Sequence, residues 1–210
     1  MQQSCKENIH TEVRTGIAAT EEAFNELGRS EPSPRILHLA THGYFFPDPK
    51  TMLNEKPSSI DNQDLIFRIS DDPMIRSGII LAGANTAWTT LQPPAKGEDG
   101  ILTAYEISQQ NLSNTELVVL SACETGLGQI KGNEGVYGLQ RAFKIAGVKY
   151  LIMSLWQVGD KATGELMVEF YHFYVNRKLP VPEAFRAAQQ AMRTKYPGSP
   201  YAWAGFILVE

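Results

Sequence analysis

The stretch that most constrains this chain is Leu117-Val118-Val119-Leu120, followed at once by Ser121, Ala122, Cys123, Glu124, Thr125 and Gly126. Four apolar residues, two of them β-branched, that end at small residues and a glycine read as a buried strand of a parallel sheet. The carboxyl end of such a strand opens into a loop, where open α/β sheets place their chemistry. Cys123 is therefore displayed at a strand end. A second run with the same grammar, Arg35 to Thr41, ends at His42-Gly43.

The remaining pattern supplies the partners such a strand needs. Ser77 to Ala82, Val148 to Leu155 and Gly205 to Val209 are short apolar runs of strand type. Between them lie helical signals. Ala18 to Leu27 closes on Gly28, Thr103 and Glu106 form a T-x-x-E capping box, and Val136, Leu139, Phe143 and Ala146 make an apolar stripe that stops at Gly147. Asp160 or Gly159 opens a further helix to about Val175, and Pro182 sits in the first turn of another through Met192. Strands alternating with helices and apolar on both faces predict an α/β fold with a mainly parallel sheet. Tyr44 to Arg76, with Pro47, Pro49, Pro57 and Pro73, carries no sustained period and is read as a long segment rimming the site.

With 210 residues, 43% of them hydrophobic, the chain can bury one substantial core. A net charge of −4 with scattered Lys and Arg gives no footprint for nucleic acid. No apolar run is long enough to span a bilayer, and no secretory leader is seen, so the expected compartment is the cytoplasm. Two cysteines, Cys5 and Cys123, are too few for a disulfide framework, which fits a reducing environment. The four histidines make no metal spacing with either, so neither a metal nor another cofactor is expected.

A thiol becomes a good nucleophile as its thiolate, and an imidazole is one usual means of generating it. Cys123 and His42 form the one such pair on two strand ends. Gly43 and Gly126 allow a substrate carbonyl close to backbone N–H groups, and the amides of Gly43 and Cys123 are the natural oxyanion donors. His38 and His172 read as structural, and Asp160 reads equally as a helix cap or a recognition residue. The glycine loop after Cys123 lacks the G-x-x-x-x-G-K-[ST] pattern of a phosphate cradle.

The stretches HLATHGYF (38–45), SGIILAGAN (77–85), EDGILTAYEIS (98–108), LVVLSACETGLG (117–128), EGVYGLQRAFKIAGVKYLIMSLWQV (134–158) and WAGFILV (203–209) together resemble the CHAT domain. That family is similar to caspases, separases and gingipains. The resemblance implies a caspase-like three-layer sandwich over residues 15–210, after a poorly structured start at 1–14, with the chain a fragment lacking the domain's first elements. It implies His42 and Cys123 as the catalytic dyad, and Gly43 with Cys123 as the oxyanion hole. Ser154, Leu155, Trp156 and Gln157 match the strand along which an extended protein or peptide substrate pairs. Asp160 matches the acidic residue by which separases, with a similar Leu-Trp-x-Val-x-Asp pattern, take a basic P1 side chain. Ser-Ala-Cys replaces the Gln-Ala-Cys of caspases, so their preference for aspartate is not carried over. The implied activity is that of a cysteine endopeptidase, governed by a partner or helical-repeat region. The alternative is a caspase-like scaffold module that binds a peptide strand without cutting it.

Overall fold

The computed structural model describes residues 10–46, 70–85, 98–121, 134–156 and 158–210. Four strands form the main sheet: β1 (Ile36–Leu39), β5 (Leu117–Leu120), β6 (Tyr150–Ser154) and β7 (Phe206–Val209), in the spatial order β1-β5-β6-β7. The first three are parallel, and β7 runs antiparallel to β6. Every residue of β5 is buried, as a strand must be when helices cover both faces.

Alternation along β5 sends its side chains to two separate cores. Val118 and Leu120 join Ile107 of helix α2 (Ala104–Ser108) and Leu139 and Phe143 of α3 (Glu134–Ile145). Leu117 and Val119 face the other way, onto Leu166 and Phe170 of α4 (Asp160–Tyr171) and Ala184 and Ala188 of α5 (Val181–Lys195). Phe143 and Phe170 are fully buried, each stabilising the fold by about 1.5–3 kcal/mol through removal of its ring from water. Helices on both faces of a mainly parallel sheet make the three-layer, caspase-like sandwich expected from the sequence.

Local signals account for the helix ends. Thr103 Oγ1 accepts from the Glu106 N–H at 3.2 Å while the Thr103 N–H donates to Glu106 Oε2 at 2.7 Å, which completes the capping box of α2. Gly147 follows α3 at φ +100°, a left-handed conformation suited to glycine. Among the described residues no helix is long and apolar enough to cross a membrane.

Two boundaries differ from the sequence reading. The first helix, α1, is confined to Glu21–Asn25, because Gly16 adopts φ +56°, Gly16–Ala18 is a 3₁₀ turn, and the Thr20 hydroxyl caps the helix by accepting from the Ala23 N–H. His42 does not end a strand but begins one. After β1 stops at Leu39, β2 (His42–Phe45) pairs antiparallel with β3 (Ser77–Ile80), which pairs with β4 (Ile101–Thr103) in a small second sheet. Tyr44 and Phe45 thus belong to a strand, their periodicity too short to stand out beside the prolines that follow.

Candidate functional site

The parallel pairing of β1 with β5 matches Leu39 with Leu120, and the Ser121 N–H donates to the Leu39 carbonyl at 3.0 Å. The chain leaves both strands at the same end of the sheet. His42 stands three residues beyond Leu39, and in the sequence Cys123 stands three residues beyond Leu120. Cys123 and Gln157 lie outside the described residues.

His42 is exposed at the start of β2, and the Thr41 hydroxyl before it donates to the Ile80 carbonyl. The direction of the Gly43 amide follows from the ladder. The Phe46 N–H donates to the Arg76 carbonyl at 2.8 Å, so Phe46 and Arg76 form a hydrogen-bonded pair. Such pairs alternate in an antiparallel ladder, which makes Tyr44–Gly78 and His42–Ile80 bonded pairs and Gly43–Ile79 a non-bonded one. Gly43 therefore turns its N–H away from β3. Consistently, the Leu81 N–H donates to the Gly100 carbonyl, so the same alternation directs the polar groups of Ile79 to Leu102 of β4.

The other predicted site residues lie at the matching end of β6. Ser154 follows Met153, the register partner of Leu120, and is half-buried. The Leu155 N–H donates to the Gly205 carbonyl at 2.7 Å, extending the β6–β7 ladder by one step. Trp156 lies against Tyr201, ring centroids 5.5 Å apart, and over Gly205, where an added Cβ would stand 2.9 Å from the indole Nε1 and 2.6 Å from Val158 Cγ2. Only glycine permits that approach. Asp160 is exposed at the first position of α4, where its charge also favours the helix N-terminus.

By its sequence His38 reads as structural, yet the fold brings it to this same end. Its Nε2 lies 2.9 Å from Ser121 Oγ and its Nδ1 3.0 Å from the Tyr171 hydroxyl. As a residue His38 is exposed, but its ring packs on Tyr171, centroids 5.7 Å apart, and this desolvation lowers its pKa below the ordinary imidazole value. Burial raises the Tyr171 hydroxyl, which stays a phenol. Tyr171 ends α4, where the helix widens into a π turn over His172–Asn176. Within that turn the Tyr174 hydroxyl donates to Glu116 Oε2 at 3.0 Å and accepts from Arg35, at the opposite ends of β1 and β5. The one available sequence signal is a polar residue inside the apolar run Ile36 to Leu39; the tyrosine that meets it, Tyr171, carries none.

Comparison with known proteins agrees with the fold. A family model described as the CHAT domain matches residues 3–210. The chain is 30% identical over 112 residues to the mouse and human proteins named tetratricopeptide repeat protein 28, a match that covers 52% of this chain and 4% of each relative. The chain thus corresponds to a small part of the curated relatives it matches.

Proposed function

Since this chain belongs to the CHAT domain family, a family of the caspase-like clan, we propose that it is a cysteine endopeptidase working through His42 and Cys123. The observation that carries the proposal is the pairing of β1 with β5, Leu39 opposite Leu120, which sends the histidine and cysteine segments off neighbouring strands at one end of the sheet. His42 takes the thiol proton, and the Cys123 thiolate attacks the peptide carbonyl carbon. The amides of Cys123 and Gly43 hold the oxyanion, and the outward turn of the Gly43 N–H from β3 supports that assignment. His42 then protonates the departing amine as the carbon–nitrogen bond breaks and the thioester forms. Water, giving its proton to His42, attacks the thioester and returns the acid product and the free thiol.

Substrate recognition in this proposal is by strand addition along Ser154 to Gln157. Because the Leu155 amide already serves Gly205, the peptide pairs on the side facing β5, past Ser121. Asp160 selects a basic P1 side chain by charge. The relatives named for tetratricopeptide repeats favour control by a helical-repeat region, and the two cysteines fit a reducing cytoplasm. A second reading, a module that binds a peptide strand without cutting it, draws on the same relatives.

The test is cleavage of a peptide panel with Arg, Lys or Asp at P1, comparing the wild type with Cys123→Ala and His42→Ala. Loss of cleavage in both variants by on the order of 10³ or more is expected. Cleavage indifferent to Cys123→Ala overturns the peptidase; binding of the same peptides without turnover in the wild type establishes the second reading.

A further inference from the structure

Ser121 is the residue at which the chain leaves β5, two positions ahead of Cys123 in the sequence. Two bonds hold it. Its N–H donates to Leu39, and its hydroxyl meets His38 Nε2 at 2.9 Å. The other ring nitrogen of His38 meets the Tyr171 hydroxyl at 3.0 Å.

A neutral imidazole has one N–H and one lone pair, and the bond at one nitrogen decides what the other can do. The half-buried phenol of Tyr171 carries one O–H donor, and Nδ1 of His38 lies within reach as its acceptor. With the Tyr171 O–H donating to Nδ1, the ring proton belongs on Nε2, which then donates to Ser121 Oγ. In that tautomer His38 cannot take a proton from Ser121. With that tautomer, the spacing that looks like a base beside a serine is that of a donor holding a serine.

We propose that His38 is a positioning residue: oriented by the Tyr171 hydroxyl at the α4–π junction, its Nε2–H holds Ser121 Oγ and so fixes the exit of the chain from β5 toward Cys123. The link to Cys123 rests on the peptidase reading above, whereas the hydrogen-bond line from Tyr171 to Ser121 does not.

The experiment uses the full chain labelled with ¹⁵N. The ring ¹⁵N shifts of His38, assigned by their loss in His38→Gln, are expected to show protonated Nε2 and bare Nδ1. In Tyr171→Phe that single tautomer gives way to a mixture. Exchange of the Ser121 amide is expected to speed up by about three- to tenfold in Tyr171→Phe and His38→Phe, the weight of one net hydrogen bond. His38→Gln, whose side-chain amide retains a donor, is expected to keep exchange near the wild-type rate. In a Cys5→Ser background, iodoacetamide alkylation of Cys123 should slow in the same two variants and not in His38→Gln. A proton on Nδ1, or Ser121 exchange unchanged in both variants while far-UV circular dichroism shows them folded, overturns the proposal. Loss of the peptidase reading, seen as cleavage indifferent to Cys123→Ala, leaves the tautomer and exchange outcomes to decide the role of His38 by themselves.

Discussion

Glutamine at position 21 is expected to remove most of a pH dependence that a single buried carboxyl writes into the fold. Glu21 is 2% exposed at the start of α1, and its Oε2 accepts from the Gly100 N–H at 2.9 Å. Burial first, and Glu106 second, push its pKa from 4.5 to about 8, with Glu98 and Asp99 adding and the Gly100 hydrogen bond opposing. The folded state therefore binds a proton that the unfolded state gives up near 4.5. That contribution to stability is fully present below pH 4.5 and is lost as pH rises toward 8. Between pH 4.5 and 6.5 His38 acts with the opposite sign: burial lowers its pKa, so stability is lost there as pH falls. The clean window is pH 6.5 to 8, where the loss from Glu21 amounts to about 1 kcal/mol once solvent screening at the acidic rim is allowed for. Chemical denaturation of the wild type and Glu21→Gln at half-unit pH steps reads the difference directly. The wild type should weaken relative to the variant across this window. Parallel curves, or a wild type that gains on the variant as pH rises, would refute the reasoning.

Two further outcomes follow from packing. Thr103→Ala removes the capping hydroxyl of α2 and should lower stability by about 1 kcal/mol, read as a shifted denaturant midpoint at unchanged slope. Gly205→Ala drives a Cβ into Trp156 and Val158 and should cost about 1–3 kcal/mol and move the Trp156 indole ¹H–¹⁵N resonance. Gly198→Ala, whose Cβ would meet nothing within 4 Å, should leave both readouts unchanged.

Much of the architecture was written locally. The run Leu117 to Leu120 specifies a strand buried on both faces, because no other use of four consecutive apolar residues bounded by Ser121 and a glycine loop suits a chain with helical stripes on either side. The Thr103–Glu106 box, the stop at Gly147 and the start of α5 at Val181–Pro182 are likewise signals carried by neighbours within one turn, and each appears where the sequence reads it. The family resemblance, too, was legible, since its motifs are short stretches at strand ends.

What the sequence could not decide are relations between segments far apart in the chain. Nothing near His42 announces that it opens a second sheet, because β2 is defined by its pairing with β3 rather than by its own period. The direction of the Gly43 amide depends on the phase of that ladder, a property of two strands together. Nor does any local pattern join Tyr171 to His38 and Ser121, which three separate elements bring within hydrogen-bonding reach. The sequence determined which residues are the candidates for chemistry and that Leu120 closes the strand ahead of one of them. Tertiary structure decided which strand ends are neighbours and which way their polar groups face, because hydrogen-bond register and helix packing are set by contacts that no single segment contains.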